Sequence, residues 1–390
     1  MNRYINIALN KFESVPVSLR LDPDQDIAAE KCLVDLARLY HHYYLDSYGR
    51  RPPYPEPSQF EYLRFLAETR DFRILGGGIG DSTAKKRNAS TELGQAFCRW
   101  FLSEHLNITY FAHMDKVLDK DPVDEFEGFK VLRVENGDAP DYLCAENMYS
   151  VYLAEAKGRY KSINFKNREF EAWRKQFSRV EVRDKDNTLR SVKGYVVGTR
   201  FATEENSSSV NSGIFAEDPQ SPGDLKLDDF TASQVYRKIQ KVHFADIFEK
   251  LNQPLVAAAL IMNSVISDQL RIQAVTWRLA LDSVGQMEFV GGYWKTSPGD
   301  LPFSLKQDGS ISTYPPDPFR LDHGRGVFIG LERKVFESVC RSVRTNEAEK
   351  RPIAQPIEDI PPFYSAISLL RDGSILGPAE FFIPTGFIEV

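Results

Sequence analysis

Between Thr91 and Phe201 the spacing of apolar residues changes from a helical period to a strand period and back, and this succession limits what the chain can fold into. Leu93, Ala96, Phe97, Trp100 and Phe101 share one face of a helix predicted over Thr91–Glu104, with Asn88, Ser90 or Thr91 as its cap. Ile108–Met114, Ala139–Ala145 and Ser150–Lys157 then read as three strands. Phe170, Trp173, Phe177 and Val180 line one side of a second helix predicted over Phe165–Val180. Lys193–Phe201, rich in Val and Tyr, closes the unit as a fourth strand. The expected fold class is therefore α/β, with a core in the order α-β-β-β-α-β.

The flanks read differently. Cys32, Leu33, Leu36, Leu39, Tyr40 and Tyr43 recur at helical steps, which predicts a helix over Ile27–Leu45. The prolines from Pro52 to Pro57 end it, and Ser58 with Glu61 forms a capping box for a second helix to about Thr69. The reading is an N-terminal helical region (1–75), the core (76–203), a polar linker or long loop (204–230) and a C-terminal α+β domain (231–390). Within the last, a helix over Ala232–Leu251 precedes a strand-rich remainder. The related segments Gln307–Ile311 and Arg371–Ile375 share Asp-Gly hairpin turn chemistry, which explains their similarity without an internal repeat.

Composition excludes several classes. At 390 residues, 42% hydrophobic and 27% charged, the chain can bury a core of two or three domains. A net charge of −6 excludes a uniformly basic nucleic-acid coat. Cys32, Cys98, Cys144 and Cys340 form no Cys-x-x-Cys pair, which argues against structural zinc and a disulfide scaffold. The longest apolar run, Leu255–Met262, is too short to span a bilayer, and the N-terminus shows no apolar signal segment. The expected location is the cytoplasm, with no membrane contact.

The chemistry concentrates in Ala139-Pro140-Asp141-Tyr142-Leu143-Cys144 and Tyr152-Leu153-Ala154-Glu155-Ala156-Lys157-Gly158. Strand alternation puts Val151, Leu153, Glu155 and Lys157 on one face, with Glu155 and Lys157 about 7 Å apart. A hairpin returning through Glu146–Tyr149 brings Asp141 beside Glu155. Two converging carboxylates with a lysine beside them suit a hard cation. Pro-Asp followed by Glu-x-Lys, within this order of elements, resembles the PD-(D/E)xK nuclease superfamily and its restriction-endonuclease-like core, over about residues 90–201.

That resemblance implies Mg²⁺ or Mn²⁺ held by Asp141 and Glu155, with the carbonyl of Ala156 as a further ligand. Lys157 would orient or deprotonate the attacking water. Glu92 matches a carboxylate that members place near the metal, and Gln176 a polar position near the site. The implied activity is metal-dependent phosphodiester hydrolysis, in DNA rather than RNA, with restriction or anti-phage defence as its setting. The alternatives are a non-catalytic nucleic-acid or protein-binding module on the same fold, and a secreted antibacterial nuclease toxin; a protein partner or homodimer is compatible with each.

Residues 157–200 hold 13 Lys and Arg against 5 Asp and Glu, a net +8 in an otherwise acidic chain. Arg159, Lys161, Lys166 and Arg168 are the expected phosphate contacts, against a solvated basic face as the bland explanation. Other motifs are weaker. The loop Leu75–Ser82 lacks the P-loop pattern and reads as a mobile connection before a helix. Pro316-Asp317 with Glu332-Arg333-Lys334 repeats the motif letters, but Pro318 disfavours the strand it needs. The six histidines show no metal-ligand spacing, so packing or surface roles are expected for all of them.

Overall fold

The computed structural model describes residues 2–47, 65–119, 129–184, 186–190, 192–219, 229–280, 287–295, 303–305, 311–313, 326–344, 352–358, 360 and 367–390. Apart from Pro352, the described residues up to His243 form one compact unit and those from Phe244 form a second.

The first unit is built on a seven-stranded sheet in the order β2-β1-β10-β9-β6-β5-β3. These strands are β1 (Asn2–Asn10), β2 (Lys31–Asp35), β3 (Tyr110–His113), β5 (Tyr142–Asn147), β6 (Ser150–Arg159), β9 (Lys193–Arg200) and β10 (Gly213–Glu217). β5 runs antiparallel to both of its neighbours, β3 and β6, whereas β6 and β9 are parallel. Among the described residues this unit holds the helices α1 (Leu36–Ser47), α2 (Thr83–Leu106) and α3 (Arg168–Arg174), and the first turns of a helix at Asp229–Lys250. α3 supplies the crossover that two parallel strands require. A small sheet of β4 (Phe129–Arg133), β7 (Val180–Asp184) and β8 (Leu189–Arg190) is inserted between core elements.

Two close approaches fix the layers. A Cβ on Gly158 of β6 would stand 1.7 Å from the Ser90 carbonyl oxygen, and one on Gly94 would meet the Gly158 backbone at 2.4 Å. α2 therefore lies directly on the sheet, on the face that carries Ala154, Ala156 and Gly158. On the opposite face, Trp173 covers Gly198 and Phe177 covers Gly194 of β9. Ile163, Phe170, Trp173 and Val196 form the core there. Arg174 ties α3 to the sheet through two hydrogen bonds to the buried Glu217 carboxylate of β10. At the β3 edge, the Phe111 N–H donates to His243 Nδ1 at 3.2 Å, which covers a strand group that would otherwise lack a partner.

Several sequence expectations need correction. The predicted Ile27–Leu45 helix is β2 followed by α1: Asp35 Oδ1 accepts from Ala37 N at 2.8 Å and starts the helix there. β1 and β2 belong to the core sheet, so the first 47 residues are not a separate helical region. The proposed linker contains β10, buried between β1 and β9; its short apolar run has no alternation because both faces are covered. α2 begins at Thr83 under a Ser82 cap, eight residues before the predicted start, since no Gly or Pro interrupts Thr83–Ser90. α3 stops at Arg174, and Val180 enters β7 instead. The predicted Ser58–Thr69 helix falls mostly outside the described residues, and 65–69 are not helical. The small sheet of β4, β7 and β8 is an insertion that the strand count missed.

In the second unit α4 (Asp229–Lys250, its last turns here), α5 (Pro254–Met262) and α6 (Arg333–Ser342) accompany a six-stranded sheet. Its strand order is β16-β17-β15-β12-β11-β18. These are β11 (Gln273–Leu279), β12 (Glu288–Lys295), β15 (Gly326–Glu332), β16 (Ser368–Leu369), β17 (Ser374–Pro378) and β18 (Phe382–Glu389); β13 (Phe303–Leu305) and β14 (Ile311–Thr313) form a hairpin. Trp277, Phe289, Phe328, Ile375 and Phe382 fill its core. Gly373 adopts φ +86° in the Asp372-Gly373 turn, as that turn chemistry requires; residues 307–310 lie outside the described set. The chain as described is mixed α/β, and no described helix is long and apolar enough to cross a membrane.

Candidate active site

The site forms where β5 meets β6. Tyr142 pairs with Ala154 and Leu143 with Leu153. One step further, that register sets Asp141 opposite Glu155, with both side chains on the Leu143–Leu153 face. Like charges directly opposed on a strand pair are unfavourable, so the arrangement needs something besides folding to explain it. Pro140 falls opposite Ala156 and has no N–H for the ladder. Asp141 Oδ2 accepts from Ala156 N at 2.7 Å, so the carboxylate takes the strand N–H that faces the proline.

Glu155 is fully buried. Lys157, two residues on and half-buried, forms an ion pair with Glu155 Oε1. Beyond that ion pair, neither Glu155 oxygen has a hydrogen-bonding partner of proper geometry among the described residues. Burial pushes the Glu155 carboxyl well above its usual range, and the Asp141 charge adds to this, with Lys157 opposing. Burial works against the Lys157 ammonium, but Glu155 and Asp141 outweigh it and push its pKa up. Asp138, exposed three residues before Asp141, adds to that upward push. Two carboxylates and one ammonium leave an excess negative charge in a buried place. Carboxylate oxygens without hydrogen bonds, beside a second carboxylate, fit a hard divalent cation. Among the described residues no group of three or more His, Cys, Asp or Glu is placed to hold a metal, so the fit rests on Asp141, Glu155 and backbone oxygen.

The other expected members are placed unequally. Ser90 and Gly94 are the α2 residues against β6, and Glu92 lies about 200° around the helix from Ser90. Glu92 accordingly turns to α1, where the Tyr43 hydroxyl approaches its Oε2 at 3.4 Å. The expectation that Glu92 joins the pair is thus corrected. Gln176 is buried in the α3 layer, on the face from which Glu155 and Lys157 project, between Trp173 and Phe177. Ala156 contributes its N–H to Asp141, a tie the sequence did not suggest.

Of the expected phosphate contacts, Lys161, Lys166 and Arg168 are exposed. Arg159 is instead built into the fold: it pairs with Glu169, and its guanidinium lies 5.1 Å from the Trp173 ring centre. Arg174, Lys175, Arg183, Arg190 and Lys193 are ion-paired too, so fewer cations stand unpaired than the run of sequence suggests.

Of the second motif, only Glu332-Arg333-Lys334 lies among the described residues. Glu332 ends β15 and caps α6 by accepting from Val335 N at 2.9 Å, while Lys334 points into solvent. Pro316-Asp317 lies outside the described residues. The Leu75–Ser82 loop is held by Ile79 N donating to Tyr160 Oη at 3.0 Å and Gly76 N donating to Glu204 Oε2 at 2.7 Å.

On the α2 face of the same sheet end stands a buried cluster that sequence reasoning missed. Asp46 Oδ1 accepts from Tyr142 Oη at 2.7 Å, with His113 Nε2 at 3.1 Å and Arg99 Nη1 at 3.3 Å. His113 is therefore part of a charged network rather than simple packing. His41 and His42 are buried in α1, and burial lowers His105 to about 4. His323 lies outside the described residues. No family model, curated protein or solved structure matches this chain.

Proposed function

We propose that the first unit is a metal-dependent nuclease core of the PD-(D/E)xK type, acting on phosphodiester bonds in DNA. The observation that carries the reading is the register-driven opposition of Asp141 and Glu155, with Lys157 in contact with Glu155. Element order supports it: α2, β3, β5, β6, α3 and β9 follow the expected α-β-β-β-α-β succession, with β6 and β9 parallel. The buried, poorly satisfied Glu155 carboxylate has a rationale in this reading and none in a surface hairpin.

Asp141 and Glu155 would hold Mg²⁺ or Mn²⁺, with the Ala156 carbonyl as a third oxygen. A bound divalent ion supplies charge stabilisation at the phosphate oxygens and acidifies water. The residues do the rest. The Asp141–Ala156 hydrogen bond fixes one carboxylate oxygen and leaves the other available. Lys157, held as an ammonium by its neighbours, orients water and offsets negative charge developing on the phosphoryl oxygens. That state favours the orienting role over a base role. Lys161, Lys166 and Arg168 would meet the phosphate backbone.

The test is cleavage of plasmid DNA with Mg²⁺ or Mn²⁺, with and without EDTA. Wild type is expected to cut only with metal. Asp141→Ala, Glu155→Gln and Lys157→Ala should each lose roughly a hundredfold or more, since members of such a unit fail together. A variant with wild-type circular dichroism and wild-type cutting would overturn the assignment. Metal-independent DNA retention without cleavage would favour a binding module on the same fold.

A further inference from the structure

We propose that Asp46, Arg99, His113 and Tyr142 form a positioning network that sets where Asp141 leaves the sheet, and so tunes how the Asp141–Glu155 pair holds its ion. The inference rests on the metal-dependent reading above.

Asp46 comes from the end of α1, far from the site in sequence, yet its side chain is 3% exposed. Arg99 beside it is 5% exposed. Burying such a pair is costly, and apolar residues of similar volume generally stabilise a core as well or better. What this charge does locally is gather donors from two strands and a helix. His113 ends β3 and Tyr142 begins β5; they are register partners, and both reach Asp46 Oδ1. The Arg99 guanidinium also lies over the Phe111 and Tyr142 rings, 4.6 Å and 5.8 Å from their centres. The last rung of the β3–β5 ladder is thus clamped from the α2 face.

Asp141 is the next residue beyond that rung. Its carbonyl accepts from Met114 N, the residue after His113, at 2.9 Å. Its carboxylate accepts from Ala156 N, the residue after Glu155, at 2.7 Å. A change at His113 or Tyr142 is therefore passed through one peptide on each strand to the carboxylate. None of the four network residues need touch substrate; their effect runs through backbone, as the partners of metal ligands commonly act through the groups they hold.

Tyr142→Phe removes one hydroxyl and almost no volume. His113→Ala removes a donor, and His113→Gln restores one. The measurements are Mn²⁺ binding by calorimetry, the Mn²⁺ concentration giving half-maximal cleavage, the rate at saturating Mn²⁺, and the melting temperature. Tyr142→Phe and His113→Ala are expected to weaken Mn²⁺ binding on the order of tenfold and to raise the half-maximal concentration in step. The saturating rate should change less, and His113→Gln should recover most of the affinity. If the two variants lose only melting temperature and keep wild-type Mn²⁺ affinity, the network is structural and the proposal falls. If Asp141→Ala leaves Mn²⁺ binding and cleavage as in wild type, the nuclease reading fails instead. A wild type that binds no Mn²⁺ overturns both.

Discussion

Asp46 and Glu155 show how two buried carboxylates in one unit acquire opposite pH behaviour. Burial pushes both upward. At Asp46 the hydrogen bond from His113, then the His113 and Arg99 charges and the Tyr142 hydroxyl, outweigh it, and the carboxyl falls from 3.8 to about 2. At Glu155 the neighbouring Asp141 adds to burial, and Lys157 does not overcome them. A depressed folded pKa contributes stability above the unfolded pKa, lost as pH falls through the folded value. Wild type should therefore lose on the order of 2 kcal/mol relative to Asp46→Asn between about pH 4 and pH 2. A raised folded pKa has the reverse sign. Stability from Glu155 is present below its unfolded value and is lost as pH rises. Glu155→Gln should accordingly gain on wild type from about pH 4 upward. Denaturant titrations of the three proteins across pH 2–8 would reveal this. Parallel pH curves for all of them would show that neither carboxyl is shifted as the surroundings demand.

Among the elements, the contact between α2 and β6 is the most demanding. Gly158 and Gly94 let a helix rest on the backbone of the strand that carries the candidate lysine, and the two glycines touch each other rather than side chains. A Cβ at Gly158 would overlap the Ser90 carbonyl, which is backbone and cannot rotate away. Gly158→Ala should therefore destabilise the unit by roughly 3 kcal/mol, at the upper end of ordinary overpacking. It should also impair cleavage, because the strand backbone between Lys157 and Gly158 would shift. Chemical denaturation is the check, and a loss under about 0.5 kcal/mol would mean that the helix sits further out. Gly198→Ala offers a contrast: its nearest neighbour is the Trp173 ring at 3.1 Å, so a milder cost is expected.

For the whole molecule, the question is where nucleic acid would approach. Residues 157–200 look strongly basic in sequence, but Arg159, Arg174, Lys175, Arg183, Arg190 and Lys193 are tied up in ion pairs with Glu169, Glu171, Glu181 and Asp184 of the same run and with Glu217 and Asp218 beyond it. The exposed Lys161 and Lys166 sit on the connection between β6 and α3 and Arg168 opens α3, following the strand end that bears Glu155 and Lys157. Replacing those three with Gln should weaken duplex binding in Ca²⁺ across sequences. It should also flatten the salt dependence by roughly one unit per lost contact. Unchanged affinity and slope would make this face only solvated surface. Arg159→Gln, by contrast, should cost stability as well, since Arg159 holds Glu169 and Trp173.

Periodicity along the chain was enough to foresee α2, β3, β5, β6, α3 and β9 in order, and the letters Pro140-Asp141 and Glu155-Ala156-Lys157 were enough to single out their strand ends. Those signals are local: one face of a helix, or alternate positions of a half-buried strand, can be read within a dozen residues. β10 escaped because a strand covered on both faces loses its alternation, and β2 because Cys32, Leu33 and Leu36 suit a helix as well as a strand running into one. Glu92 was misplaced because helical register decides its direction, and that register depends on which residues α2 presses against β6. Asp46 and His113 carried no sequence signal at all. Their meeting with Tyr142, and the opposition of Asp141 to Glu155, depend on cross-strand register and on the removal of water. Both arise only when segments distant in sequence pack together, since a carboxylate's charge and partners are set by its neighbours in space.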